Sequence, residues 1–140
     1  MLSRDVDTAK AWALRLHAGQ TDKAGLPYAA HPERVAARLT APEEKVVGWL
    51  HDTVEDTGLT LEEIKAQFGP ETSAAVDAIS RREGEEWQDY LLRVKENPVA
   101  REVKISDLID NSNLSRIPYV TLRDVDRQKK YNEALRFLMT

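Results

Sequence analysis

The sequence has 140 residues and no cysteine, with 20 basic and 24 acidic side chains and a formal net charge of −4. This length can bury one core unaided, and the lack of cysteine excludes disulfides, thiolate metal sites and cysteine nucleophiles. The acidic balance argues against a nucleic-acid polymer as partner, whereas a small phosphorylated ligand is compatible, because a metal ion and a few cations reverse the charge of a pocket.

Apolar residues recur at helical spacing in nearly every segment, and no run alternates apolar and polar residues as a strand would. The sequence therefore predicts an all-α fold, a compact single domain over residues 1–140 with about eight helices. The first ten residues mix acids and bases without an apolar stretch, so we expect no signal peptide, no membrane contact and a cytoplasmic location. The oligomeric state is left open.

The first three predicted helices have recognisable boundaries. The first runs from about Arg4 to Ala18 and ends in the turn-rich stretch Thr21 to Pro27. The second begins at His31-Pro32, since proline suits the first helical position. The third extends from about Pro42 to Val54 and ends in a polar string, residues 51–56, with the sequence HDTVED.

The second half of the chain carries clear helix signals. Thr60 and Glu63 form a capping box for a short helix, which Gly69 closes before Pro70 starts the next one. That next helix is predicted to bury Ala74, Ala75, Val76 and Ile79. The last three helices are marked by the start of an apolar stripe at Trp87, by Pro98 and by the predicted cap Thr121.

The chemistry-bearing side chains begin with the histidines, of which the sequence has three: His17, His31 and His51. On a helix His51 and Asp52 lie about 100° apart, so both can reach one ion between their directions. Asp52, Glu55 and Asp56 point away from the apolar stripe, so another element must cover them to make a site. Without that cover, the string is a solvated helix end.

Three blocks follow one another along the chain: KAGLPYAAHP (residues 23–32), WLHDTVEDT (49–57) and VKISDLIDN (103–111). This ordered trio resembles the hydrolase domain of RelA/SpoT-type alarmone hydrolases and their small stand-alone relatives within the HD superfamily. The resemblance runs from about Trp12 to Asn111 and, more weakly, to Leu138. It implies an HD-type helical fold and a metal-dependent phosphohydrolase.

The resemblance also implies a divalent metal, usually manganese, bound by His31, His51, Asp52 and Asp107. Two imidazoles and two carboxylates suit manganese or another divalent first-row metal, and they leave coordination positions open to water and phosphate oxygen. Glu55 and Asp56 match the family's acidic pair, to which acid–base roles are assigned. The alternative for this pair is ordinary acid at a helix end.

Four residues resemble family positions that contact the nucleotide. Asn111, one helical turn beyond Asp107, matches an asparagine that binds the sugar. Arg127 and Tyr131 match positions that hold phosphate and nucleoside, although a solvated cation and a core tyrosine are the alternatives. Lys23 resembles a basic residue that meets phosphate. Arg81 and Arg82 are interpreted as solvated charge, and His17 as structural.

Three residues depart from the alarmone-hydrolase pattern. Asp22 stands where relatives often carry an arginine or lysine that stacks on the base, and Leu108 and Asp110 stand where many have a base and a histidine. A carboxylate offers neither stacking nor cation–π attraction. The metal chemistry is thus better specified than the substrate.

Three hypotheses follow. The first is a manganese-dependent hydrolase in which a metal-activated water removes the 3′-pyrophosphate of (p)ppGpp. The second is a general nucleotide or NADPH phosphatase of the same fold, which Asp22 favours slightly. The third is a catalytically silent nucleotide-binding module. Because no synthetase module follows Thr140, we expect hydrolysis without alarmone synthesis.

Overall fold

The computed structural model describes residues 3–140, so the first two residues of the predicted domain lie outside the described residues. Within this range the regular structure is helical, apart from an isolated antiparallel bridge between Thr21 and Pro27. The helices of the described residues are α1 (Ser3–Leu16), α2 (Ala30–Ala37), α3 (Pro42–Leu50), α4 (Thr53–Thr57), α5 (Leu61–Phe68), α6 (Pro70–Ile79), α7 (Trp87–Glu96), α8 (Pro98–Asn111) and α9 (Leu122–Met139). The all-α prediction is confirmed.

Helix α3 forms the centre of the bundle. Its residues 46–50 are all buried, and the helix packs against α1, α2, α6 and α8. Gly48 lets α2 approach closely, because a Cβ at this position would lie 3.0 Å from Leu39 Cδ1 and 3.2 Å from Ala36 Cα. This contact fixes the end of α3, and with it His51, beside the helix that carries His31.

The predicted caps are present. Thr60 Oγ1 accepts a hydrogen bond from the Glu63 N–H at 3.2 Å, and Glu63 Oε1 accepts one from the Thr60 N–H at 3.2 Å. Gly69 then ends α5 with a φ of 97°, a conformation that favours glycine. Thr121 accepts from the Asp124 N–H at the start of α9. These local signals specified the helix ends correctly.

The third predicted helix is wrong in its extent. It was expected to continue to Val54, but α3 ends at Leu50 and a separate short helix, α4, begins at Thr53. The Thr53 hydroxyl donates to the Leu50 carbonyl at 2.7 Å, the acceptor that the Val54 N–H would use in a continuous helix. The described residues contain nine helices, in agreement with the predicted bundle of about eight, and His51-Asp52 lies at the junction between two of them.

Three smaller predictions also need correction. Helix α1 ends at Leu16 instead of Ala18, and α2 begins at Ala30, which puts Pro32 at the third helical position. Ala74 was predicted to be buried, but it lies on the exposed side of α6.

Among residues 3–140, no helix combines the length and apolar character needed to cross a membrane.

Candidate functional site

Four predicted ligand side chains meet at one point. His31 comes from α2, His51 and Asp52 from the junction of α3 and α4, and Asp107 from α8. The Nε2 atoms of His31 and His51 lie 3.3 Å apart, and Asp107 Oδ1 lies 2.8 Å and 3.3 Å from them, respectively. Asp52 Oδ2 lies 3.0 Å from His51 Nε2 and 3.7 Å from His31 Nε2. These segments thus form a compact group able to hold a metal ion.

The second nitrogen of each histidine is held from outside this group. His51 Nδ1 lies 2.7 Å from the Gly48 carbonyl, which only accepts, so Nδ1 carries the proton. His31 Nδ1 donates to Asp110 Oδ2 at 2.7 Å. Both Nε2 atoms are thereby left to face the centre, as metal-ligating histidines require. The donor set, two imidazole nitrogens and two carboxylate oxygens, fits a divalent first-row cation.

The two carboxylates are held ionised. Burial alone would raise the pKa of Asp52, but the neighbouring His51 lowers it to about 2. Burial is likewise outweighed at Asp107, because the neighbouring Lys104 ammonium holds the pKa of this carboxyl well below its usual range. A metal ligand must be deprotonated, so both groups are in the state that ligation needs.

Two side chains that sequence reasoning did not assign to the site support these carboxylates. The Tyr28 hydroxyl donates to Asp52 Oδ2, and burial together with the charge of Asp52 raises the pKa of Tyr28, which keeps this proton in place. Lys104 Nζ donates to Asp107 Oδ2 at 2.8 Å. Their sequence positions could have indicated this role. Tyr28 precedes the predicted ligand His31 by three residues, and Lys104 precedes the predicted ligand Asp107 by three.

Glu55 and Asp56 lie on α4, immediately after the ligand group. Glu55 accepts a hydrogen bond from the Arg81 backbone N–H. Partial loss of solvent and the negative charge of Asp52 raise the pKa of both Glu55 and Asp56. Carboxyl groups with raised pKa values next to a metal group are suited to proton transfer near neutral pH.

Asp110, one of the departures, is a buried organising residue. Besides His31, it accepts from Arg34 Nε at 2.8 Å and Nη2 at 3.0 Å, and from Arg38 Nη1 at 3.2 Å. Arg116 Nη2 lies 3.1 Å from the Asp110 main-chain oxygen. Sequence reasoning missed this role, although Asp110 follows the α8 ligand candidate by three residues and so shares its helix face.

A pocket of about 430 Å³ opens beside His31. Arg34 and Arg116 contribute to its wall, as does Asp22. All four residues predicted to contact the nucleotide also line it: Lys23, Asn111, Arg127 and Tyr131. The structure thus gathers these residues in one place, next to the four candidate ligand side chains.

Two contacts connect the pocket wall to its surroundings. Asn111 Nδ2 donates to Asp107 Oδ1 at 3.1 Å, so the asparagine joins the pocket to the ligand group. Lys23 and Arg127 lie on either side of the buried Asp124, at 3.8 Å and 3.2 Å. This shared carboxylate ties the loop before α2 to the first turns of α9.

Asp22 has a structural task in its loop. Its Oδ1 accepts hydrogen bonds from the N–H groups of Ala24 and Leu26, both at 2.9 Å, around Gly25, whose φ is 80°. The side chain therefore builds the turn that follows it. Leu108, another departure, is fully buried in the core.

The remaining candidates lie outside the pocket wall. Arg82 is exposed and pairs with Asp77 at 3.4 Å, as expected for solvated charge. Arg81 is also exposed, and its part in the site is the backbone N–H that meets Glu55. His17 is buried, and its Nδ1 lies 2.8 Å from Gln20 Oε1, which agrees with a structural role.

Comparison with known proteins adds three sequence relatives. The family model described as HD domain matches residues 9–106. A guanosine-3′,5′-bis(diphosphate) 3′-pyrophosphohydrolase of Aquifex aeolicus is 31% identical over 121 residues, covering 78% of this chain and 17% of that protein. A probable enzyme of the same name from Synechocystis is 43% identical over 77 residues, 52% of this chain and 10% of the relative. A GTP pyrophosphokinase of Streptomyces coelicolor is 31% identical, covering 94% of this chain and 17% of that protein.

A solved structure has the same fold. It is described as a metazoan ortholog of SpoT that hydrolyzes ppGpp and plays a role in starvation responses. The TM-score is 0.79 at 22% sequence identity, and the match covers 97% of this chain and 88% of the other. By contrast, the chain spans only 17% of the length of the Aquifex relative.

Proposed function

Because the chain belongs to the HD domain family, we propose that residues 1–140 form one HD-type phosphohydrolase domain that removes the 3′-pyrophosphate of guanosine alarmones. The observation that carries this proposal is the meeting of His31, His51, Asp52 and Asp107, contributed by three separate segments. The activity for which the Aquifex relative is named supports the choice of substrate. A cytoplasmic location and a role in the stringent response belong to the same proposal, since both follow from that substrate.

The proposed metal ligands are His31 and His51 through Nε2, and Asp52 and Asp107 through carboxylate oxygens. Manganese is the proposed metal, and a mixed nitrogen and oxygen set also suits other divalent first-row ions. A bound cation of this kind lowers the pKa of a water molecule and polarises phosphate oxygens. Tyr28 and Lys104 are the proposed supports of the two carboxylates, each through one hydrogen bond.

Glu55 and Asp56 are the proposed proton carriers. In the reaction, water attacks phosphorus, the bond between phosphorus and the ribose 3′ oxygen breaks, and that oxygen leaves with a proton. A carboxylate takes the proton of the attacking water, and a carboxylic acid returns one to the departing oxygen. The raised pKa values of these two groups support this assignment, because each can hold a proton closer to neutral pH than an ordinary carboxyl.

The pocket beside His31 is the proposed nucleotide site. Its volume of about 430 Å³ falls within the roughly 300–1,000 Å³ that small-molecule sites occupy. In it, Lys23 and Arg127 would meet phosphate, Asn111 the sugar and Tyr131 the nucleoside. The partner is thus a small phosphorylated nucleotide, and neither a nucleic-acid polymer nor a membrane is part of the proposal.

A second candidate, an NADPH or general nucleotide phosphatase, is favoured by Asp22. An aspartate supplies no cation to stack on guanine. Its carboxylate is instead engaged with the backbone of its own loop. The metal group and the proton carriers would serve either substrate, because both reactions cleave a phosphate ester.

The test is a substrate panel with purified protein and manganese: ppGpp, NADPH, deoxynucleoside triphosphates and cyclic nucleotides, with phosphate and pyrophosphate assayed separately. Pyrophosphate released from ppGpp alone is the expected result, whereas phosphate from NADPH selects the second candidate. Asp107→Ala should abolish turnover, and Asp126→Ala, at an exposed acid of α9, is the matched control. Saturable nucleotide binding without product under any divalent metal would replace both proposals with a silent binding module.

A further inference from the structure

The wall of the pocket near α2 carries more positive charge than its carboxylate neutralises. Arg34, Arg38 and Arg116 all lie within 3.5 Å of side-chain oxygens of Asp110. One carboxylate balances one guanidinium, and Asp110 is also shared with His31. Two of the three arginines are therefore left without a compensating acid in this group.

A second group of charges lines the pocket around Asp124. There Asp124 lies between Lys23 and Arg127, so one acid serves two cations. Asp22 is the remaining acid of the lining, and its Oδ1 is occupied by two backbone N–H groups of its own loop. The lining thus has four cations against three carboxylates, Arg38 not included. The lining therefore carries an excess of one positive charge, inside a chain whose net charge is −4.

Arg34 and Arg116 are also positioned in advance. Arg34 binds both carboxylate oxygens of Asp110 with Nε and Nη2, which fixes the guanidinium plane and leaves Nη1 unused by this pair. Arg116 is held mainly by the main-chain oxygen of Asp110 at 3.1 Å. Their side chains are 29% and 28% exposed, and both line the pocket. Because both side chains are already held in place, a ligand that binds them loses little free energy to ordering them.

We propose that Arg34 and Arg116 form an anion subsite that binds a phosphate of the nucleotide other than the one cleaved. The inference rests on the proposed function in one respect, that the reacting phosphate lies at the ligand group around His31 and His51. It narrows the substrate class to nucleotides that carry two separated phosphate groups.

The test is equilibrium binding in the presence of a chelator, with guanosine, guanosine 3′-monophosphate and guanosine 3′,5′-bisphosphate as probes. For the unmodified chain, we expect the bisphosphate to bind about tenfold more tightly than the monophosphate, as a charge-assisted contact of roughly 1.4 kcal/mol gives. In Arg116→Gln this ratio should fall to about two or less. Arg136→Gln, at an exposed arginine of α9, should keep the full ratio.

Arg34→Gln is expected to reduce the ratio as well, but it also removes the two-point contact with Asp110 and lowers the stability of the fold. Arg116→Gln therefore carries the test, and its thermal unfolding should stay near that of the unmodified chain. The proposal would be overturned if the unmodified chain bound the bisphosphate and the monophosphate with nearly equal affinity. It would also be overturned if Arg116→Gln left the ratio of these affinities unchanged or lost affinity equally for all three probes. Because no turnover is measured, the subsite is tested even if the substrate panel gives no product.

Discussion

The Asp110 carboxylate accepts a hydrogen bond from His31 Nδ1 at 2.7 Å, across 79 positions of the sequence. This contact fixes the proton on Nδ1 and turns Nε2 toward His51 and Asp107. The same carboxylate binds Arg34. Asp110 therefore connects the orientation of a candidate metal ligand with the charge of the adjacent pocket.

Asp110→Asn tests the metal side of this connection. The amide keeps the size of the side chain, but it loses the charge that holds His31 Nδ1–H and the arginines. Since changes to the partner of a metal-ligating histidine typically weaken affinity by 10- to 100-fold, we expect a loss of roughly this size in a manganese titration. Asp126→Asn provides the control for loss of one negative charge. Unchanged manganese affinity in Asp110→Asn would remove Asp110 from the metal site.

The sequence could propose His31, His51, Asp52 and Asp107 as one group because each of these residues lies in a short recognisable block. It did not predict the role of Asp110, because the partners that define this role, His31 and Arg34, are 79 and 76 positions away. The break after Leu50 was also missed, since it depends on one hydroxyl, that of Thr53, competing with a backbone N–H. The first depends on residues distant along the chain, and the second on one polar contact that outweighs helical periodicity.

Asp22 shows the opposite case, a role that was readable from the local sequence. An aspartate followed two residues later by an N–H donor and then by Gly25 is typical of a turn closed by its own side chain. The structure has this turn, with bonds of 2.9 Å to Ala24 and Leu26. The family pattern by itself indicated only that Asp22 replaces a cation that stacks on the base in relatives.

Glu55→Gln tests the proton carriers. The amide keeps the shape of the side chain and can still accept the Arg81 backbone N–H, but it cannot take a proton. General acid–base groups contribute about 10²- to 10⁴-fold to rate, so kcat with ppGpp should fall by this order while manganese affinity stays unchanged. Glu62→Gln, at an exposed acid of α5, should leave kcat unaltered. A loss of manganese affinity that matches the loss of rate would reassign Glu55 to the ligand group.

Gly48→Ala tests the close approach of α2 and α3. Alanine normally stabilises a helix relative to glycine, by roughly 0.5–1 kcal/mol. Here the new Cβ would meet the Ala36 backbone at 3.2 Å, and overpacking of this kind costs about 1–3 kcal/mol. We expect a lower free energy of unfolding in urea, together with weaker manganese binding as His51 moves away from His31. Increased stability would show that α2 has room to shift.

The loop that presents Arg81 to Glu55 gives a prediction about pH. Arg93 binds the main-chain oxygens of Asp77 and Ser80, and its hydrogen bond to Glu85 lowers the pKa of Glu85 to about 2. A carboxyl with a depressed folded-state pKa contributes stability above its unfolded value of about 4.5, and this contribution is lost as the pH falls toward 2. Unfolding measured between these pH values should therefore depend less on pH in Glu85→Gln than in the unmodified chain. Equal slopes for the two proteins would contradict a depressed pKa at Glu85.

Metal removal tests the ligand group without any assumption about substrate. A cation that binds only the folded chain stabilises it by about 2.7 kcal/mol at 100 times its dissociation constant, so manganese should raise Tm by on the order of 5–10 °C over the chelated protein. His31→Gln should lose this increment, because the amide cannot replace an imidazole that is held by Asp110 and directed at His51. His17→Gln changes a histidine that is equally buried but lies outside the ligand group, so its Tm should fall while the manganese increment persists. If the increment survived in His31→Gln, the ion would bind elsewhere, and the four side chains would be a hydrogen-bonded cluster instead of a metal site.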